Sequence, residues 1–313
     1  MGISGAAATP ATGRRPRRGV DCGSVGLFLL LAVVLSWGAF IGLRAVGVPL
    51  TIRAGVGMYG PIVAAIVTRL VRREGFADFG LRPLLRTRLR IGLTSYVWAY
   101  VLPIVLTLAG VALALVIHYQ HWALAQNWAS VMDQLTRHMP AAQAAQFRHR
   151  STILLTVQLA EVLTIGPLMN CLLTLGEEFG WRGHLLVRLT PLGGPVAAVL
   201  VGVVWGLWHA PLIALDGYEF GIRAWWAAPF FCLFTVPLAV ILAWLRFRSG
   251  SVWPGVLLHA MVNAVAGFSA LALSAPDSRL IGPPVGLIGC VPLWIVAIWL
   301  VATGRVRVRA SRA

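Results

Sequence analysis

About eight stretches of this 313-residue chain run apolar for roughly twenty residues at a time, and no water-soluble core can hide so many. Their approximate limits are 24–43, 54–70, 91–117, 151–176, 193–214, 225–245, 252–273 and 282–302. A run of about 18 apolar residues is long enough to cross the hydrocarbon of a bilayer as a helix. Composition agrees, with 58% hydrophobic and only 12% charged residues. Soluble domains carry about twice that share of charge. The expected fold is therefore all-α, a polytopic transmembrane helix bundle with about eight spans. No internal repeat and no soluble domain interrupts it.

The net charge is +16, and every one of the 26 basic residues is arginine. A nucleic-acid partner is not expected, because the arginines fall between apolar runs rather than along one solvated face. They read instead as topology signals and contacts to anionic lipid. With the N-terminus inside, nineteen arginines fall on inner segments and seven on outer ones, so both termini are expected in the cytoplasm. Residues 1–20 read as a disordered basic tail, 21–303 as a single transmembrane domain and 304–313 as a basic C-terminal tail. The expected location is the cell's inner (plasma) membrane. Segment 71–90 reads as a basic interfacial loop, and 118–150 as a long outer segment holding an amphipathic helix. Cys22, Cys171, Cys232 and Cys290 stand singly, with no spacing that suggests a metal site or disulfide framework.

In such a chain the chemistry is sought among ionisable groups inside spans, which are expensive there. Glu161, the Glu177-Glu178-Arg182 cluster, His184, His209 and His259 pass that filter. In Gly176-Glu177-Glu178-Phe179-Gly180-Trp181-Arg182-Gly183, Glu178 and Arg182 are spaced i, i+4 and can pair, which frees Glu177 for another partner. A solvated salt bridge at a helix end is the plain alternative. His209, in Trp205-Gly206-Leu207-Trp208-His209-Ala210-Pro211, is a base candidate amid apolar neighbours. It is equally a helix-to-helix hydrogen bonder. His259 and Asn263 lie i, i+4 on one helical face, where two neutral donors suit a developing oxyanion or simply join helices.

The order Glu-Glu-x-x-x-Arg, aromatic-x-x-x-His, His-x-x-x-Asn resembles the CPBP family of CAAX-protease and bacteriocin-processing intramembrane proteases, relatives of the Rce1-type prenyl endopeptidases. The motif-bearing part is roughly residues 150–270, and Phe79-Gly80-Leu81-Arg82 looks like the family's cytoplasmic segment. The resemblance implies an intramembrane endopeptidase acting near the cytoplasmic membrane face on a membrane-anchored peptide or protein. Glu177 and His209 would activate water, His259 and Asn263 would stabilise the oxyanion, Arg182 would orient Glu178, and Glu178 could assist. Where the family has phenylalanine this chain has Trp205, a change of pocket shape rather than of chemistry. No cofactor is expected. The alternative, Zn2+ on Glu177, His209 and His259, lacks the HExxH spacing. A non-catalytic scaffold or bacteriocin-immunity protein of the same family, and a transporter, are the other readings. A water-filled cavity between the fourth, fifth and seventh spans is expected to open to the cytoplasm. His209 would lie on a helix broken near Gly193-Gly194-Pro195 or Gly206.

Overall fold

The computed structural model describes residues 19–83 and 89–308. The expected basic tails fall largely outside them. Fourteen α-helices follow in order among the described residues: α1 (Cys22–Ala45), α2 (Leu50–Gly57), α3 (Gly60–Val71), α4 (Leu89–Val116), α5 (Leu124–Thr136), α6 (Ala141–His149), α7 (Ser151–Leu163), α8 (Ile165–Glu178), α9 (Leu186–Leu189), α10 (Gly194–Trp208), α11 (Ala210–Asp216), α12 (Ala227–Ser249), α13 (Trp253–Ala272) and α14 (Leu287–Ala302). Several of these are one rod in two pieces. Seven helical stretches are long and apolar enough to cross a membrane, and α14, at 16 residues, is a shorter apolar eighth. Apolar side chains such as Leu30, Val34, Leu168 and Ile295 face outward from the bundle, where only lipid suits them. This is a multi-pass helical membrane protein.

Helix meets helix through small residues and through hydroxyls that reach a neighbour's carbonyl, the usual devices where lipid removes the hydrophobic drive between helices. Thr235 on α12 donates to the Gly202 carbonyl on α10 at 2.9 Å, and Thr174 on α8 donates to the Val256 carbonyl on α13 at 3.1 Å. At one end of the bundle Asp216, the last residue of α11, takes Arg53 at 2.6 Å and Arg44 at 3.2 Å. One carboxylate thus ties together α1, α2 and α11. Segment 118–150, expected on the outer side, holds two helices, α5 and α6. α5 buries Trp128, Met132 and Thr136 on one face, the amphipathic pattern read from the sequence.

The fourth span departs from expectation. Its helix does not stop at the glutamate pair but continues through a π-helical stretch, Phe179–Leu185, into α9 and a final turn at Thr190–Leu192. The sequence reading ended the span at 176 because charged residues looked interfacial. They are instead satisfied inside the protein, so lipid imposes no stop. Glycines make the continuation possible. A Cβ on Gly176 would lie 2.4 Å from the Met58 carbonyl oxygen, and one on Gly180 would lie 2.4 Å from Pro61 Cβ. The helix therefore lies directly on the α2–α3 backbone.

Beyond the π stretch, Arg188 meets Glu74 and Asp78 at 2.6 Å each, and Asp78 also meets buried Arg69 at 2.6 Å. Arg69 further donates to the carbonyls of Gly75 and Gly183 and to His184 Nδ1. This lattice latches the connection after α3 onto the long helix. Burial pushes the Glu74 carboxyl up, but the Arg188 hydrogen bonds and charge, with the Ser24 hydroxyl, outweigh it and hold Glu74 below its usual range. The same balance, with Arg188 and Arg69 as the partners, lowers Asp78. A carboxyl group lowered on folding stabilises fully above its unfolded pKa and stops doing so as pH falls through its folded value. The stability gap between wild type and Arg188→Gln should therefore be constant from pH 8 to about 5 and close below about 4. Thermal unfolding in detergent across that range checks this; a gap that widens in acid would contradict it.

Candidate active site

The two adjacent glutamates serve different partners. Glu178 is fully buried, and its Oε1 accepts from Arg182 at 2.7 Å and from His259 Nδ1 at 3.0 Å. Gly255 leaves room for its other oxygen, since a Cβ there would stand 3.3 Å from Oε2. Glu177, about 100° further round the helix, accepts from Trp205 Nε1 at 2.5 Å and faces a cavity. The i, i+4 pairing of Glu178 with Arg182 is thus present, and it is buried rather than solvated.

Trp205 is the hub that sequence reasoning missed. Arg182 lies over its ring at 4.5 Å, and His259 meets it edge-on at 5.1 Å. Its N–H holds the Glu177 carboxylate, and its carbonyl accepts from His209 Nδ1 at 2.8 Å. A phenylalanine at this position would keep the packing and lose the N–H, so the departure from the family pattern reaches the Glu177 carboxylate as well as the shape of the pocket. Trp205→Phe should lower turnover about ten- to a hundredfold, the worth of one hydrogen bond to a charged group. The measurement is turnover alongside melting in detergent; unchanged turnover in a folded variant would remove the N–H from the mechanism.

His209 sits where its rod breaks. Pro211 has no N–H to give the Leu207 carbonyl, so α10 ends at Trp208 and α11 begins at Ala210. The break expected near Gly193 or Gly206 is at His209–Pro211 instead; Gly193, at φ +92°, makes the turn ahead of α10. The imidazole is boxed by Trp208 at 4.7 Å, Phe231 at 5.0 Å and a stacked Tyr218 at 6.0 Å. A carbonyl only accepts, so His209 Nδ1 carries the proton and Nε2 presents a lone pair. His259 is fixed the same way by Glu178. Its Nε2 accepts in the neutral ring and donates only in the imidazolium.

A cavity of about 130 Å³ is lined by Glu177, Trp205, His209, His259 and Asn263. That volume has room for several waters among polar partners. The six motif residues thus divide. Glu177, His209, His259 and Asn263 reach the cavity, while Glu178 and Arg182 stand behind it. His184 belongs to the ion lattice, and Glu161 pairs with Gln158 at 2.9 Å away from the site. Among the described residues no three His, Cys, Asp or Glu side chains gather as a metal would require. Trp205 takes one Glu177 oxygen, and Nδ1 of His209 and of His259 are held by a carbonyl and a carboxylate, which leaves both Nε2 atoms unused. The three side chains are not gathered closely enough to fit the Zn2+ set.

Two cavity residues carried no signal in the sequence, Tyr218 and Glu219, in the α11–α12 connection. Glu219 has φ +65°, uncommon outside glycine, which turns its carboxyl group inward. Burial raises its pKa against the pull of Tyr218 and Arg279. The Glu219 charge, followed by burial, lifts the Tyr218 hydroxyl well above its ordinary value.

Comparison with known proteins falls on this same region. Residues 159–265 match the family described as type II CAAX prenyl endopeptidase Rce1-like. A CAAX prenyl protease 2 of Methanococcus maripaludis is 30% identical over 92 residues, which is 28% of this chain and 34% of that protein. The match spans about a third of the relative's length. All six motif residues lie inside 159–265, so the likeness to that family falls on the part of the bundle that builds the site.

Proposed function

We propose that this protein is an intramembrane endopeptidase that hydrolyses a peptide bond of a membrane-anchored polypeptide with water activated by Glu177 and His209. The observation that carries the reading is the convergence of Glu177, His209, His259 and Asn263 on one small, largely apolar cavity inside a helical membrane protein. Its Rce1-like core, and the relative named as a prenyl protease, support the same class. CAAX-type and bacteriocin-type peptide processing both fall within it, and the plasma membrane of the cell is the proposed setting.

The chemistry follows from which atoms are free. Trp205 holds one Glu177 oxygen, and the other accepts a proton from a cavity water. The water oxygen adds to the scissile carbonyl carbon while Asn263 Nδ2 and protonated His259 donate to the developing oxyanion. Glu178 steadies that imidazolium through Nδ1. His209, with Nε2 unprotonated at the start, takes part in carrying the proton to the departing amine nitrogen as the C–N bond breaks. Arg182 holds Glu178 in place through the ion pair behind the cavity and does not touch the substrate.

His209→Ala should abolish cleavage of membrane peptides in reconstituted vesicles while leaving the protein folded, and a chelator should leave wild-type turnover unchanged. The readout is the comparison of membrane peptidomes with and without each treatment. Wild-type cleavage by His209→Ala would defeat the assignment of His209, whereas a wild-type protein that cleaves nothing would favour a non-catalytic scaffold or immunity role. Loss of activity to the chelator would restore the Zn2+ alternative.

A further inference from the structure

The cavity occupies one half of the bundle only. Its floor is Glu177, the single α8 residue that lines it. On α13 it descends from His259 to Ser269, three residues before that helix ends. On the α10–α11 rod it continues past the break to Tyr218 and Glu219 in the connection beyond. From α14 it takes Leu293 at depth and Pro283 ahead of the helix. Each of these paths leads to the end of the bundle that carries the 217–226 and 273–286 connections. Among the described residues, none of its lining comes from the connections at the other end, 72–83, 190–193 and 250–252.

That other end is closed. Phe79 packs on Phe179 at 5.5 Å, and Trp253 packs on Phe179 edge-on at 5.6 Å, directly below Glu178. Beneath them lies the Arg69–Glu74–Asp78–Arg188 lattice. The depth of the pair also differs from the sequence expectation. Glu177 lies 12 residues after Ile165 and 11 before Arg188, or about 18 and 16 Å of helix. It lies inside the helical rod that ends at Leu192, not at an inner helix end.

The closed end is also the basic end. Once Arg182 is recognised as a mid-span residue, eighteen arginines fall in the tails, connections and helix ends on that side and seven on the other. Arginine excess marks the cytoplasmic side of a membrane protein. We propose that substrate and water reach Glu177 from the arginine-poor, extracytoplasmic end, so that the substrate class is a polypeptide whose cleavable segment lies at that face. This rests on the hydrolytic reading above and reverses the cytoplasmic opening expected from the sequence. Tyr218 and Glu219 then stand at the entrance, with a hydroxyl and a carboxyl group for an incoming backbone or cationic side chain.

Cys22 is exposed at the closed end and serves as a native reporter of that side. In a background with Cys171, Cys232 and Cys290 replaced, three single-cysteine proteins are needed: Cys22 alone, Ala266→Cys on the cavity wall, and Arg223→Cys on the α11–α12 connection. Each is treated with a membrane-impermeant maleimide on intact cells and on inverted vesicles. Ala266→Cys and Arg223→Cys should label at least tenfold faster on intact cells, and Cys22 at least tenfold faster on inverted vesicles. Labelling of Ala266→Cys together with Cys22 on inverted vesicles overturns the proposal. So does an Ala266→Cys that labels from neither face yet reacts once denatured. A membrane-impermeant quenched peptide library forms the activity arm, with Glu177→Gln as its blank. Cleavage above that blank on intact cells alone supports the substrate class, and cleavage on inverted vesicles alone overturns it. Expected labelling with no cleavage above the blank from either face leaves the access side standing and sinks the hydrolytic reading, so the two failures are told apart.

Discussion

Glu177→Gln cuts peptide turnover by about 10²–10⁴-fold, the range a positioned general base contributes, without unfolding the protein. The substitution is unusually clean here. Glutamine keeps the shape of glutamate, and its carbonyl oxygen still accepts from Trp205 Nε1, which now holds the carboxylate at 2.5 Å. Helix packing around Gly176 is untouched, and the ion pair behind the site involves Glu178 alone. What disappears is the basic oxygen that faces the cavity. Turnover at matched amounts of protein in vesicles, beside a melting curve, is the measurement. Activity within twofold of wild type would mean that Glu177 does not accept the proton, and the proposed mechanism would fall with it.

Arg182→Leu should cost about 3–5 kcal/mol of stability, because it strips the guanidinium from a carboxylate that has no water to turn to. Glu178 is wholly buried and would keep only His259 as a partner. Trp205 would lose the cation over its ring as well. The double variant Glu178→Gln/Arg182→Leu removes both charges and should recover much of the loss, since a neutral pair leaves no unpaired ion. Denaturant or thermal unfolding of the four proteins gives the coupling directly. Equal stabilities for the single and double variants would show that Glu178 is not charged in the fold.

Much of this was legible in the sequence, and the reasons are physical. Lipid demands long apolar helices, so hydropathy located all seven helices long enough to cross, and the shorter apolar α14 as well. The same demand made Glu177, His209, His259 and Asn263 stand out, and the cavity brings those four together. Glu178 and Arg182 were legible as a pair because i, i+4 neighbours share a helical face. What escaped depends on distance along the chain. The Arg188–Glu74 bridge joins residues 114 positions apart, and no local pattern announces it. Trp205 was read for its ring, while its N–H matters because Glu177 comes up beside it from 28 residues away. The break at His209 was written in Pro211, but the glycines drew the eye. Glu219 sits in a short connection, and its inward turn depends on a backbone angle that no side-chain pattern encodes.

The π-helical stretch at Phe179–Leu185 has a consequence for how the long fourth helix can vary. Each of its hydrogen bonds spans one residue more than an α-helical one, and one residue is worth about 100° of rotation. It therefore works as a phase shifter between two patterns that must each stay in register with different neighbours. Upstream, the pattern aims Glu177 at the cavity and Glu178 at His259; downstream, it aims Arg188 at Glu74 and Asp78. Deleting one residue inside the stretch would let the helix relax to ordinary α geometry and leave both patterns aimed correctly. Deleting one residue anywhere else along the rod would swing one end out of true. Length changes within this helix are thus tolerated at one address only.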